Sequence, residues 1–214
     1  MLRQISFLPI ALTLSSVAQV SEGFENGWDQ AAWPNSIRVD GAGGYCGHDF
    51  VGTIKVPSSG DVYVRTYLKV TKALTASHVP FITIPDSAQG TNKHLRIGNQ
   101  SSILMYNRES NDAALPDLSP QGIATSATLT VNEWQCFEYH LSTDGTVETW
   151  LNNSTVAGLT VVGGVTNLND AQRSRSTIVT GLITAVYFGW ESYDSDVNTF
   201  WFDHIVIAST CIGS

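Results

Sequence analysis

His94 and Arg96 stand two residues apart in the run KHLRIG, so in an extended strand both side chains leave on one face while Leu95 and Ile97 take the other. An imidazole beside a guanidinium suits an anionic sugar. The guanidinium can bind a carboxylate in a fork, and the imidazole can exchange a proton near neutrality. By the same alternation Tyr106 and Arg108 share a face of the next run, ILMYNRE, and Glu138 and His140 share one in WQCFEYHL. If the three runs are neighbours, their polar faces line one concave surface; the same pairs also suit an exposed sheet face or a buried ion pair. Carboxylates for glycoside hydrolysis exist at Asp112, Asp117, Glu138, Glu148 and Glu191, at separations the sequence does not fix. Neither a Gly-x-Ser-x-Gly elbow nor a His-Glu-x-x-His pair occurs, and the GAGG at Gly41 is followed by no helix that could bind a phosphate.

A second chemistry-bearing pair lies near the two ends, where GFENGW places Glu25 and WFDHI places Asp203 among aromatic residues. An acid between apolar neighbours needs a partner, and if the first and last strands are adjacent, two such carboxylates can share a calcium ion. Zinc is disfavoured because the histidines and the cysteines Cys46, Cys136 and Cys211 show no close ligand spacing.

The elements that must position these groups read as strands. Short β-branched and aromatic runs start at Val62, His78, Lys93, Ile103, Ala127, Trp134, Thr146, Leu182 and Phe200, separated by turn clusters. In VYVRTYLKV the residues Val62, Val64, Thr66, Leu68 and Val70 share a packed face and Tyr63, Arg65, Tyr67 and Lys69 a wet, aromatic one. Ser142 to Gly145 is a hairpin signal. No apolar helical period lasts three turns. The fold class is therefore all-β: a two-sheet antiparallel sandwich, of jelly-roll type if its crossings are Greek key. The stretch 107–126, with Pro116, Pro120 and Gly122, interrupts the rhythm and reads as a long ordered loop.

Composition bounds the function. Of 214 residues only 14% are charged, and the net charge of −8 repels nucleic acid and other polyanions. Residues 1–18 read as a secretory signal peptide: Arg3, an apolar run from Ile5 to about Leu14, then small residues ending at Ala18. That run is too short for a membrane span, and nothing later approaches one. Residues 19–214 then form one secreted domain, expected to be a monomer. Export gives meaning to the sequons at Asn99, Asn152 and Asn153. It also makes three cysteines an odd number, so one structural disulfide and one thiol, buried or without its partner, are expected.

The segments FENGWDQAAWP, GGYCGHDF, GDVYVRTYL, KHLRIGNQS, YNRESNDAALPDLSP, QCFEYHLSTDGTVETWLN and FGWESYDSDVNTFWFDHIVIAST cover nearly all of Gln19 to Thr210. Together they resemble the secreted fungal cellulose-induced protein family of the first type. The resemblance implies a β-jelly roll with bound Ca2+, a cleft similar to those of glucuronan and alginate lyases, and expression beside cellulases. By matching motif it implies Glu25, Asn35 and Asp203 as calcium ligands, with His94, Arg96, Gln100 and Asp112 lining the cleft. The sequence departs from the family between Pro34 and Asn35, where the family carries a further stretch with a cysteine and part of the calcium site. A real deletion or an omitted exon would each explain this, and either leaves Cys46 without the partner the family supplies. The family's cellulose-binding tail and linker are also absent.

The expected function is a polysaccharide lyase acting by β-elimination on a uronic-acid polymer of plant or fungal cell walls. The net charge of −8 opposes a polyanionic substrate, so a local cationic face must override it: Arg96 with Gln100 would neutralise the substrate carboxylate, and His94 or Tyr106 would take the C5 proton. Arg96, read as a solvated strand-face residue, is expected to be removable without loss of the fold. The alternatives are a non-catalytic carbohydrate-binding or cellulase-accessory protein, gripping glycan in the same cleft through Tyr63, Tyr67 and Trp190, and a glycoside hydrolase.

Overall fold

The computed structural model describes residues 18–22, 31, 35–39, 46–53, 55–58, 60–90, 93–110, 112–116, 126–162, 183–193 and 198–213. Among the described residues thirteen strands are β1 (Ala18–Glu22), β2 (Asn35–Val39), β3 (Cys46–Thr53), β4 (Asp61–Val70), β5 (Val79–Pro85), β6 (His94–Gln100), β7 (Ile103–Arg108), β8 (Ala113–Leu115), β9 (Gln135–Ser142), β10 (Val147–Leu151), β11 (Ser154–Thr155), β12 (Val186–Ser192) and β13 (Phe200–Ala208). They form a six-stranded sheet, β1-β13-β4-β9-β10-β11, and a seven-stranded sheet, β2-β3-β12-β5-β6-β7-β8. All pairings between them are antiparallel. This is the expected sandwich. Among the described residues no helix is long and apolar enough to cross a membrane.

Alternation builds the core. Val62, Val64, Leu68 and Val70 of β4, with Phe137, Tyr139 and Leu141 of β9, face Phe81, Ile82, Ile84, Leu95, Ile97 and Tyr106 of the other sheet in one buried cluster. Each large side chain withdrawn from water contributes about 1.5–3 kcal/mol, which fixes strand register, because a one-residue slip would expose the whole set. Tyr63, Arg65, Tyr67 and Lys69 consequently face outward. The hairpin between β9 and β10 closes at Gly145, whose φ of 90° suits glycine, with its N–H donating to the Ser142 carbonyl.

Three expectations change. The run 127–131 is not a ladder strand: its one bridge joins Val131 to Val70, and the Gln135 side chain satisfies Thr130 by donating to its carbonyl and accepting from its N–H, both at 3.0 Å. A side-chain amide has replaced the strand partner, while Leu129 still packs in the core. The long loop contains the short strand β8, paired to β7; residues 117–125 lie outside the described set. Cys136, buried, and Cys211, exposed, are both free thiols, so neither carries the expected disulfide.

Of the sequons, Asn99 is 1% exposed, and its amide donates to the carbonyls of Thr75 and Ser77. Its nitrogen is therefore not accessible in the folded chain, whereas Asn152 and Asn153 are exposed in the β10–β11 turn. The leader expected over 1–18 lies, except for Ala18, outside the described residues, as do Glu25 and the Pro34 side of the sequence discontinuity.

Candidate functional site

Register across the seven-stranded sheet sets out one transverse row: Asn35, Gly52, Tyr187, Thr83, Arg96, Asn107 and Ala114 are successive Cα partners on β2, β3, β12, β5, β6, β7 and β8. Paired residues share a face, and because Leu95 and Ile97 point into the core, the row from Gly52 to Ala114 lies on the outer face. A Cβ at Gly52 would stand 1.9 Å from the Tyr187 ring, so the missing side chain is what lets that ring lie across the sheet. Gly98, two residues beyond Arg96, would place a Cβ 2.2 Å from the Val79 carbonyl oxygen, where β5 bulges towards β6.

Arg96 is the centre of the site. Its Nη2 lies 3.3 Å from Glu109 Oε1 and 3.3 Å from Glu191 Oε1, its side chain is 13% exposed, and its buried Nε–H has no partner among the described residues. The guanidinium also lies 5.3 Å from the Tyr193 ring centroid. The Tyr193 hydroxyl donates to Glu191 Oε1 at 2.6 Å, and burial together with that carboxylate pushes the phenol pKa up, keeping it protonated. His78 stacks on Tyr193 with centroids 5.3 Å apart and planes 14° apart. Burial, and then the Arg96 charge, lower its pKa to about 4, with Asp112 opposing, so the ring is neutral near pH 6. His94 is more constrained: its Nδ1 is 2.8 Å from Thr83 Oγ1, its backbone N–H donates to Glu109 Oε2, and burial holds its pKa below the usual histidine value.

The structure therefore brings together His94 and Arg96, places Gln100 on the same face of β6, and sets Asp112, exposed, within electrostatic reach of His78. Tyr106 goes elsewhere. It is fully buried between the sheets with its hydroxyl 2.8 Å from Thr149 Oγ1, so it is not on the outer face with Arg96. Arg108 shares its inward parity and is 8% exposed. Glu138 and His140 lie on the outer face of the other sheet, where His140 bridges Glu148 and Asp61 at 2.9 and 3.0 Å. Tyr63 and Tyr67 share that opposite face, and Trp190 packs on Phe200, so these three do not stand beside Arg96 either. His78, Glu109, Glu191 and Tyr193 complete the site. Glu191 and Tyr193 obey the same two-residue spacing that singled out His94 and Arg96.

Comparison with known proteins agrees with this architecture. Residues 34–210 match the family described as polysaccharide lyase-like, Cip1-like core domain. The chain belongs to the Cip1-like core-domain family. A solved structure of the cellulose-induced protein Cip1 is 51% identical to this Cip1-like chain, covering 91% of it and 99% of its own length, with a TM-score of 0.79. The binding domain of botulinum neurotoxin serotype C1 aligns at 11% identity over 93% of this chain and 50% of its own, with a TM-score of 0.53. That of the C/D mosaic serotype aligns at 12% over 92% and 48%, with a TM-score of 0.52. These two likenesses show the fold alone. No curated protein matches the chain.

The calcium that the resemblance implies for a Cip1-like chain can be tested on two of its three residues. Asp203 lies on β13 and Asn35 on β2, in different sheets. Asp203 Oδ1 accepts from the His204 backbone N–H at 2.7 Å and lies 3.1 Å from His204 Nδ1. Among the described residues no group of three His, Cys, Asp or Glu could hold a metal. Calcium takes six to eight oxygens, and Glu25 lies outside the described residues.

Proposed function

We propose that this Cip1-like chain is a polysaccharide lyase that cleaves a uronic-acid-containing cell-wall polymer by β-elimination in the outer-face cleft of the seven-stranded sheet. The observation that carries the reading is the stack of His78 on Tyr193 beside Arg96, which sets a neutral imidazole, a protonated phenol and a guanidinium side by side. Arg96 holds the uronate carboxylate and withdraws charge from C5. Neutral His78 takes the C5 proton, the electron pair forms the C4–C5 double bond, and the C4–O bond breaks. The leaving oxygen takes the Tyr193 phenol proton. Proton return from His78 to Tyr193 restores both groups. His94, tied to Thr83 and Glu109, is a positioning residue for the strand that carries Arg96. The leader-like N-terminal run supports export.

A second reading, non-catalytic glycan binding, is favoured by one observation: Arg96 is already held by Glu109 and Glu191, and with Asp112 nearby the local balance is anionic. Incubation with glucuronan, alginate, pectate and xylan separates the readings. Ultraviolet absorbance of unsaturated uronates is expected on one of them. A reducing-sugar signal without absorbance would mean hydrolysis, and retention on a polymer without either would mean binding alone.

A further inference from the structure

The face opposite the cleft carries a different kind of site. Trp134, Trp201 and Tyr67 are 47%, 40% and 39% exposed, a concentration of large aromatics that the outer face of a sheet normally avoids. They are ordered by register. Trp201 on β13 is the Cα partner of Lys69 on β4, and Gln135 is the partner of Leu68, which brings Trp134 to the other side of Lys69. The Lys69 ammonium lies 4.7 Å from the Trp201 ring centroid and 5.6 Å from that of Trp134, so the cation holds the two indoles apart across its own strand. Beside them Tyr67, Trp134, Asp203 and His204 line an open cavity of about 340 Å³. His204, at a φ of 46° in the β13 bulge, meets the Tyr67 ring edge-on at 5.9 Å.

We propose that this patch is a second carbohydrate site, a stacking platform for a neutral, flat β-1,4-linked glucan chain. With Trp201 on β13 and Trp134 just ahead of β9, on either side of β4, the two indoles are separated by about two strand spacings, roughly 9–10 Å. An extended β-1,4-linked chain presents the same ring face at every second sugar, a repeat of the same size. The electron-rich indole faces complement the C–H face of a pyranose, while His204 at the rim offers a hydrogen-bonding group to hydroxyls. Charge disfavours an anionic ligand: the one ammonium of the patch already lies against both indoles, and the net charge of −8 repels polyanions and anionic lipid. The platform and the cleft lie on opposite outer faces of the sandwich, so a chain held by one leaves the other open.

The test uses the whole chain on phosphoric-acid-swollen cellulose, with starch as the α-linked control. Retention on cellulose and not on starch is expected, at least tenfold weaker in Trp134→Ala/Trp201→Ala, with turnover of the soluble uronan unchanged. In the parent chain, soluble cello-oligosaccharides should protect Trp134 and Trp201 from oxidation, read by peptide mass, which keeps the test independent of the folding of the variant. Equal retention of variant and parent, absence of protection, or use of the patch for vesicle binding or self-association would each overturn the proposal. Arg96→Lys should leave cellulose retention intact, so failure of the cleft reading and failure of this one are distinguishable.

Discussion

At the scale of single residues the decisive fact is the environment of Arg96. Alternation alone makes it a solvated strand-face cation, removable at little cost. The structure holds it 13% exposed against Glu191, whose side chain is 6% exposed. Arg96→Ala would therefore leave a buried carboxylate without its cation, and a loss of about 3 kcal/mol is expected from denaturant unfolding. Arg96→Lys keeps the charge but not the fork, so it should melt close to the parent while losing most turnover. Unimpaired turnover in Arg96→Lys would remove the forked carboxylate contact from the mechanism. His78 supplies a pH prediction. Its pKa is lowered from 6.5 unfolded to about 4 folded, so between these values the unfolded chain binds more protons. The stabilisation is full above about pH 6.5 and is lost as pH falls towards 4, and His78→Gln should flatten that slope in melting curves. The same depressed pKa keeps the base neutral in mild acid, so the acid limb of kcat/KM should fall near pH 4, with a limb at the ordinary histidine value contradicting His78 as base.

At the scale of elements, alternation made His94 and Arg96 legible because β6 separates apolar Leu95 and Ile97 cleanly from its polar face. It failed one strand on. ILMYNR is apolar on both parities until Tyr106, so the polar pair Tyr106 and Arg108 reads as outward, whereas pairing of Arg96 with Asn107 fixes the opposite parity and turns Tyr106 into the core. Glu138 and His140 were correctly paired on one face, but which sheet β9 joins is a matter of topology, which alternation does not encode. His78 stands at the edge of its run, and its role depends on stacking with Tyr193, far off in sequence. Early strands β1 to β3 and the short β8 and β11 carry little periodicity of their own. One element-level prediction follows from the bulge of β5 against β6: Gly98→Ala drives a Cβ into backbone rather than a movable side chain, so a loss of about 2–3 kcal/mol is expected by denaturant unfolding. An unchanged midpoint would show that β5 can retreat freely.

At the scale of the whole molecule, the sandwich separates two outer faces with different chemistry, a charged row on seven strands and an aromatic patch on six. We propose calcium as a tie between the chain ends, through Glu25, Asn35 and Asp203. An ion bound only by the folded chain raises the melting temperature by mass action. A small rise with calcium, lost in Asp203→Asn, is expected, weaker than in a chain with the stretch between Pro34 and Asn35 restored; superimposable melts with calcium and chelator would remove the ion from the account. The reaction itself is tested most directly by the mass of the new chain ends released from glucuronan near pH 6. Elimination predicts a non-reducing end lighter by one water than a hydrolytic end, formed by the parent and not by Tyr193→Phe; hydrated ends, or unsaturated ends formed equally well without the Tyr193 hydroxyl, would contradict it.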